Sequence, residues 1–453
     1  VKNKKCCLDI KVKKEKVTFS RNDFISAPYK NCPHCKNTES FGVFVPISGS
    51  NHYTRECIVC HHEERIELPD LQKKVVYLDQ FVISNLIKLL DSSHPSHERI
   101  KRDPFWHDLF VALEKAAKSQ AIVCPDSSFH KDESSVGGID FNKAKNLYEH
   151  FSGGKTLFPA HVIEERQVLK HFADWLDGKK SIFTFDPQDI SFGDLHTWEI
   201  GMRVSVGFSQ KAEEINHLKQ INASTEQQLA EIWKKWQSEK MSFEDKAKEE
   251  VLGFGKGVLV VTKSFIQKRA VATLRALTDP SFQFDLNDIL PPPAFDLMEH
   301  LMRIAAQKGV DHARIPNIIS EYLLNADSLL QIPYFKINSI MLAGLARSAY
   351  LGEKMAPKST ADVQFISSYL PYCDAMFVDK QSARILRELP KDTPKHLRID
   401  EYGAKIFSLN ERNNFLKYLD DLVTELPKEH IEILKDINGD TYDQPYWSIL
   451  EDK

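Results

Sequence analysis

The sequence predicts a mixed α/β protein, with a parallel sheet split by a large helical insertion and preceded by a small cysteine-bearing β domain. Three observations carry that expectation. Short apolar runs, VVYL at 75–78, AIVC at 121–124 and AMFV at 375–378, alternate with helical patterns, as in sheets whose crossovers are helices. Two CxxC pairs lie within residues 1–70, and from about 140 to 345 the pattern is overwhelmingly helical.

Residues 1–70 hold short alternating segments, SFGVFVPI and ERIEL, beside the cysteines. Two hairpins with a CxxC at each turn are expected. Residues 71–140 then open the α/β domain. VVYL is followed by Asp79 and the helical pattern FVISNLIKLL, and PFWHDLFVALEKAAK (104–118) is an amphipathic helix with Pro104 suited to its first turn. AIVC is the next buried strand, and DSSFHKDESS opens another helix.

Residues 141–350 form the insertion. The stretch Gln210–Lys248 is rich in Lys, Glu, Gln and Ala and lacks proline, so it reads as a long exposed helix or helical hairpin. PPPAF at 291–295 breaks two helical segments. Residues 351–453 close the domain: a helix at 361–370, the strand AMFV, Asp379, the helix KQSARILREL and a mixed C-terminal tail.

The 453 residues are 42% hydrophobic and 27% charged, the profile of a soluble globular protein. No apolar run is long enough to span a membrane. A net charge of −4 excludes a generic polyanion binder, so a nucleic-acid role needs a local basic face. Lys2, Lys4, Lys5, Lys11, Lys13, Lys14 and Lys16 supply one such cluster; a solvated arm is the alternative.

Four of the eight cysteines follow the pattern C-x2-C-x21-C-x2-C: Cys32, Cys35, Cys57 and Cys60. Two intervening residues let both sulfurs of a pair reach one ion from a tight turn, and two turns complete a tetrahedral shell. Four thiolates leave no open position, which points to structural zinc. Such a knuckle serves either as a folding staple or as a docking surface for nucleic acid or protein. His34, His61 and His62 adjoin the ligands and offer substitutes for one of them; with four cysteines in register they are expected outside the coordination shell. Cys6, Cys7, Cys124 and Cys373 are scattered, and the last two sit in or beside apolar runs as small core residues. The pattern fits metal ligation in a reducing, cytoplasmic setting rather than a disulfide framework.

Asp79 follows VVYL and Asp379 follows AMFV. Carboxyl ends of neighbouring parallel strands open into one crevice, so these two aspartates are expected to face each other. Helix N-capping is the structural alternative for each. Glu133 lies shortly after AIVC on a helix pointing at the same rim, with His130 three residues earlier on the same face. Asp362 opens the helix ADVQFISSYL, seventeen residues before Asp379; N-capping is its alternative too, with Ser359 and Thr360 as competing caps. Grouped carboxylates suit Mg²⁺ or Mn²⁺, ions that generate a hydroxide nucleophile and stabilise the attacking and leaving oxygens of a phosphodiester. Asp374 precedes AMFV and therefore falls at the other end of the sheet, about 16 Å away by strand rise. With His130 it ranks below the other four.

YLDQFVISNL resembles the opening strand–Asp–helix signature of PIN-like nucleases, with Asp79 matching the first family acid. CPDSSFHKDES resembles the second element, where Glu133 matches the helix-borne glutamate. ADVQFISSYLPYCDAMFVDKQSARIL resembles the closing element, with Asp362 as the third acid and Asp379 as the fourth. The resemblance implies a Rossmann-like parallel sheet of PIN type and a metal-dependent ribonuclease, with RNA a more usual substrate than DNA.

Other motifs point nowhere else. GFGKGVLVV (253–261) lacks the Ser or Thr of a phosphate loop and reads as a glycine-softened helix junction; SGGKT (152–156) is similarly incomplete. No GxSxG elbow appears. Trp175, Trp233 and Trp236 lie in amphipathic stretches and read as packing residues. The expected function is a ribonuclease, of toxin or defence type, whose insertion regulates or shapes access; a regulatory protein partner or a homo-oligomer is a further expectation. The competing expectation is a catalytically silent PIN-like scaffold that binds a protein or nucleic acid.

Overall fold

The computed structural model describes residues 20–44, 51–130, 141–199, 227–279, 282, 290–354, 359–391 and 393–442. The chain divides into two compact units.

The first unit comprises Val1–Leu71, Thr197–Ser205 and Pro427–Tyr442. Its sheet is an antiparallel meander of β1 (Ile25–Lys30), β2 (Phe41–Phe44), β3 (His52–Cys57) and β4 (Glu63–Glu67). One CxxC occupies the β1–β2 turn and the other the β3–β4 turn, as the alternation implies. The residue after each pair, Lys36 and His61, takes positive φ of 61° and 56°. That left-handed step curls each turn back over its own sulfurs.

Residues 427–442, expected as part of a C-terminal tail, belong to this unit. Arg55 on β3 is 2% exposed. It donates to Phe41 O at 2.9 Å, to Pro28 O at 3.0 Å and to Asp436 Oδ2 at 3.1 Å, Asp436 being on the helix Lys428–Asn438. A guanidinium is tolerated at such depth when its N–H groups are satisfied and a carboxylate opposes it. Burial disfavours the Asp436 charge, but Arg55, Lys30 and Tyr53 hold its carboxyl below the usual range.

The second unit comprises Gln72–His196, Val206–Leu426 and Asp443–Lys453. Its centre is a four-stranded parallel sheet. β5 (Lys74–Leu78) leads into α1 (Gln80–Leu90) and α2 (Pro104–Lys118), then β6 (Ile122–Val123). The insertion supplies α3 (Ala160–Leu176), α4 (Phe243–Thr278), α5 (Pro293–Gln307) and α6 (Pro333–Tyr350). α7 (Ser359–Tyr369), β7 (Ala375–Phe377), α8 (Lys380–Arg387), β8 (Lys405–Phe407) and α9 (Arg412–Thr424) complete it. Strand order is β8-β7-β5-β6, with Val76, Tyr77 and Leu78 in register with Ala375, Met376 and Phe377.

Both faces of the sheet are covered, which is why its strands read as nearly continuous apolar runs. Val75, Tyr77, Met376 and Val378 pack into the core shared with the insertion helices. Their alternates Val76, Leu78, Ala375 and Phe377 pack against α1, α2 and α9. The helical insertion is thus continuous with the sheet's core and forms no compact unit of its own.

Part of the stretch Gln210–Lys248 lies outside the described residues. The rest follows the hairpin alternative and not the single helix: residues 227–238 are helical and α4 starts afresh at Phe243, where the Ser242 hydroxyl accepts the Asp245 N–H at 3.1 Å. Trp233 and Trp236 there are 5% and 3% exposed, as packing residues should be.

GFGKG is not a junction but the interior of α4. A Cβ on Gly255 would come within 1.8 Å of Leu323 O, whereas one on Gly253 or Gly257 would meet nothing. Gly255 is the point where a second helix, Ile315–Leu323, crosses at backbone contact. Gly255→Ala is therefore expected to destabilise the fold by about 1–3 kcal/mol through forced displacement. Gly253→Ala and Gly257→Ala should each stabilise it by about 0.5–1 kcal/mol. Urea unfolding of the three variants checks both signs. No helix among the described residues is long and apolar enough to cross a membrane.

Candidate metal centres

The four cysteines converge. Cys32 Sγ lies 3.7 Å from Cys60 Sγ and Cys35 Sγ 3.7 Å from Cys57 Sγ, and the four ligand atoms all lie within 4.8 Å of one another. A disulfide needs sulfurs about 2.0 Å apart. Thiolates at the corners of a tetrahedron, each about 2.3 Å from zinc, stand about 3.8 Å apart. The cluster is compatible with a zinc site and not with a disulfide pair.

The turns also aim backbone N–H groups at two of the sulfurs. Backbone N–H groups of Val59 and Cys60 point at Cys57 Sγ from 3.4 and 3.5 Å, and that of Cys35 points at Cys32 Sγ from 3.4 Å. Burial opposes ionisation of Cys57, but the Ser40 hydroxyl and these N–H groups bring its thiol down to about 6. Asn37 Nδ2 lies 3.5 Å from Cys35 Sγ. Asn37 and Ser40 are supporting groups that the cysteine spacing does not disclose. Cys124 and Cys373 are each 5% exposed, and burial pushes both thiols up, as inert core residues. Cys6, Cys7 and the N-terminal lysines lie outside the described residues.

The second centre forms where the chain reverses direction across the sheet. From β5 the chain moves to β6 on one side, while β7 and β8 are added on the other, so the switch point falls between β5 and β7. Asp79 and Asp379 follow the carboxyl ends of these two strands. The Asp79 N–H extends the ladder to Phe377 O at 3.0 Å.

Asp362 arrives from the other direction. α7 falls about 10 Å between Asp362 and Tyr369, and the strand climbs about 13 Å between Ala375 and Asp379. Seventeen residues of separation therefore return the chain to the same end of the sheet. Phe365 and Tyr369 on α7 pack 5.1 and 5.2 Å from the Tyr77 ring and hold the helix against β5.

The ligand atoms of Asp79, Asp362 and Asp379 lie within 4.8 Å of one another. Asp79 and Asp362 are 5% and 9% exposed. Both strand-end aspartates are also helix caps, as the capping alternative holds. Asp79 Oδ1 accepts the Phe81 N–H at 3.3 Å, and Asp379 Oδ1 accepts those of Gln381 and Ser382 at 2.7 and 3.1 Å. Capping engages only one oxygen of Asp379. Its Oδ2 is buried and has no hydrogen-bond partner among the described residues. Three ionised carboxylates this close repel by at least about 3 kcal/mol per pair at an effective dielectric near 20. A hard divalent cation held there would relieve that repulsion and give the orphaned oxygen a partner.

The remaining candidates separate. Glu133 lies outside the described residues. Asp374 sits at the opposite end of the sheet, where Oδ2 accepts the Val75 N–H and Oδ1 pairs with Lys74 Nζ, each at 2.8 Å. It fixes the start of β5 and takes no part in the cluster. His130 is 2% exposed and stacked between Tyr77 and Tyr148, with centroids 4.9 and 4.5 Å away. Its Nε2 lies 2.8 Å from Leu78 O and must carry a proton, because a carbonyl only accepts. His130 therefore secures the strand end beneath Asp79 and has no access to a substrate.

No family model, curated protein or solved structure matches this chain.

Proposed function

We propose that the chain is a metal-dependent ribonuclease of PIN-like type, with zinc bound structurally by Cys32, Cys35, Cys57 and Cys60. One observation carries the reading. Three aspartates from separate parts of the polypeptide meet at the switch point of a parallel sheet, and one buried oxygen among them lacks a partner. N-capping alone does not require Asp362 to approach the other two.

Asp79, Asp362 and Asp379 would hold Mg²⁺ or Mn²⁺. Such an ion, when bound, lowers the pKa of a coordinated water and neutralises charge on the phosphodiester oxygens. The protein's own contribution is placement. N–H groups of Gln381 and Ser382 fix the Asp379 carboxylate, the β5–β7 ladder fixes Asp79, and the aromatic packing of α7 fixes Asp362. Glu133, by the resemblance, would join them. RNA rather than DNA, and a toxin or defence setting, likewise follow from the resemblance.

The test is cleavage of single-stranded RNA and of DNA of the same sequence, with Mn²⁺, with Mg²⁺ and with neither. RNA cleavage that appears only with a divalent ion supports the proposal. A folded, metal-loaded protein that leaves both strands intact would make it a silent scaffold, and cleavage of DNA alone would move it to another substrate.

A further inference from the structure

At the other end of the sheet from the aspartates, the β7–α8–β8 crossover closes over a cavity of about 540 Å³. Gly403 and Ala404, which line it, precede the amino end of β8, whereas Asp79 and Asp379 follow carboxyl ends of parallel strands. The cavity is therefore separate from the proposed active site, and its reading does not depend on that proposal.

Its lining has two characters. Leu370, Leu386, Leu389 and Ile406 form an apolar floor, while Arg387, Lys391 and Arg398 supply three cations against the single carboxylate of Asp400. Arg387 is tied to Glu411 at 2.7 Å. Lys391 and Arg398 are exposed and have no ion-pair partner among the described residues. Thr393 also lines the cavity. It is 6% exposed, and its hydroxyl has no hydrogen-bond partner among the described residues. A buried hydroxyl without a partner is costly, and a ligand acceptor would satisfy it.

We infer that this cavity binds an organic phosphate of about mononucleotide size. The excess of unpaired cations selects an anion, because like charges lining a concave surface reinforce one another's field. The apolar floor and the volume select an organic body. Small-molecule sites occupy roughly 300–1,000 Å³, and inorganic phosphate would leave most of this space and the floor unused. Lys391 and Arg398 receive the phosphate, the aliphatic floor receives the base, and Asp400 accepts hydrogen bonds from sugar hydroxyls.

Calorimetry with adenosine monophosphate, adenosine and inorganic phosphate tests the assignment. It is done on the full chain carrying Asp379→Asn, so that binding at the aspartates does not contribute. The monophosphate is expected to bind one per chain, with adenosine and phosphate each at least tenfold weaker. Lys391→Ala/Arg398→Ala, two changes at exposed positions, should weaken the monophosphate at least tenfold and leave the melting temperature unchanged. Monophosphate binding no tighter than that of phosphate, or undiminished in the double variant, overturns the inference.

Discussion

Asp379→Asn is expected to abolish metal-dependent RNA cleavage while leaving the folded protein as stable as its parent. Asparagine caps helices as well as aspartate does, so the Oδ1 bonds to the Gln381 and Ser382 N–H groups survive. The change falls on the other atom. Where the parent holds a buried, unpartnered Oδ2, the variant holds an amide N–H₂ facing two carboxylates. It removes one negative charge and donates hydrogen bonds, so without metal the variant should melt no lower than the parent. Metal affinity and activity move the other way. A ligating carboxylate supports several kcal/mol of transition-state stabilisation through its ion, and at about 1.4 kcal/mol per decade its loss costs about a thousandfold or more in rate. Asp79→Asn, which also preserves a cap, should behave alike. Asp374→Asn is the control. Its partners are Lys74 and the Val75 N–H, so it should cleave at the parent rate. Parent-level cleavage by Asp379→Asn would assign the activity elsewhere.

The aspartates were legible because strand and acid are adjacent in sequence. VVYL-Asp and AMFV-Asp each announce a buried strand with a carboxylate at its end, and the two strands prove to be neighbours. Asp362 is marked in the sequence only by its match to the closing PIN-like element, and the helix and strand of opposite direction that bring it to the same rim emerge from the fold. Strand arithmetic puts Asp374 at the other end of the sheet, and it lies there. His130 shows where that kind of reasoning stops. The aromatic rings on either side of it come from β5 and from the helix Phe141–Ser152, and no local pattern places them there. The return of the C-terminal helix is likewise invisible in sequence, since the Arg55–Asp436 pair spans 381 residues. Arginine in a strand reads as a solvent-facing position unless its buried acceptors are known. GFGKG misleads for the opposite reason: glycines suggest a loop, and only the approach of Leu323 explains why one of them is needed inside a helix.

Cys57→Ser should release the zinc and unfold the first unit. The cluster at the cysteine end consists of Cys32, Phe41 and Cys57, with Cys35 and Cys60 against them. Phe41 is the one large side chain in it, and burying a residue of that size contributes only about 1.5–3 kcal/mol. Structural zinc contributes an apparent 10–16 kcal/mol at neutral pH, so at this end a bound ion would outweigh the apolar packing several-fold. Cys57 is the sensitive ligand, since it is fully buried and receives N–H groups from both Val59 and Cys60. Serine keeps the volume but offers a hydroxyl too weakly acidic to replace a thiolate. Elemental analysis is expected to find one zinc per parent chain and less than a tenth of that in the variant. Limited proteolysis should then cut the variant before residue 72 and after residue 426, because the Lys428–Asn438 helix depends on Arg55 in β3 for its anchor. The aspartate cluster draws its ligands from β5, α7 and β7, all in the second unit, so Mn²⁺ should still bind there. Full resistance to protease in a zinc-free Cys57→Ser protein would show that the first unit holds itself together without the metal.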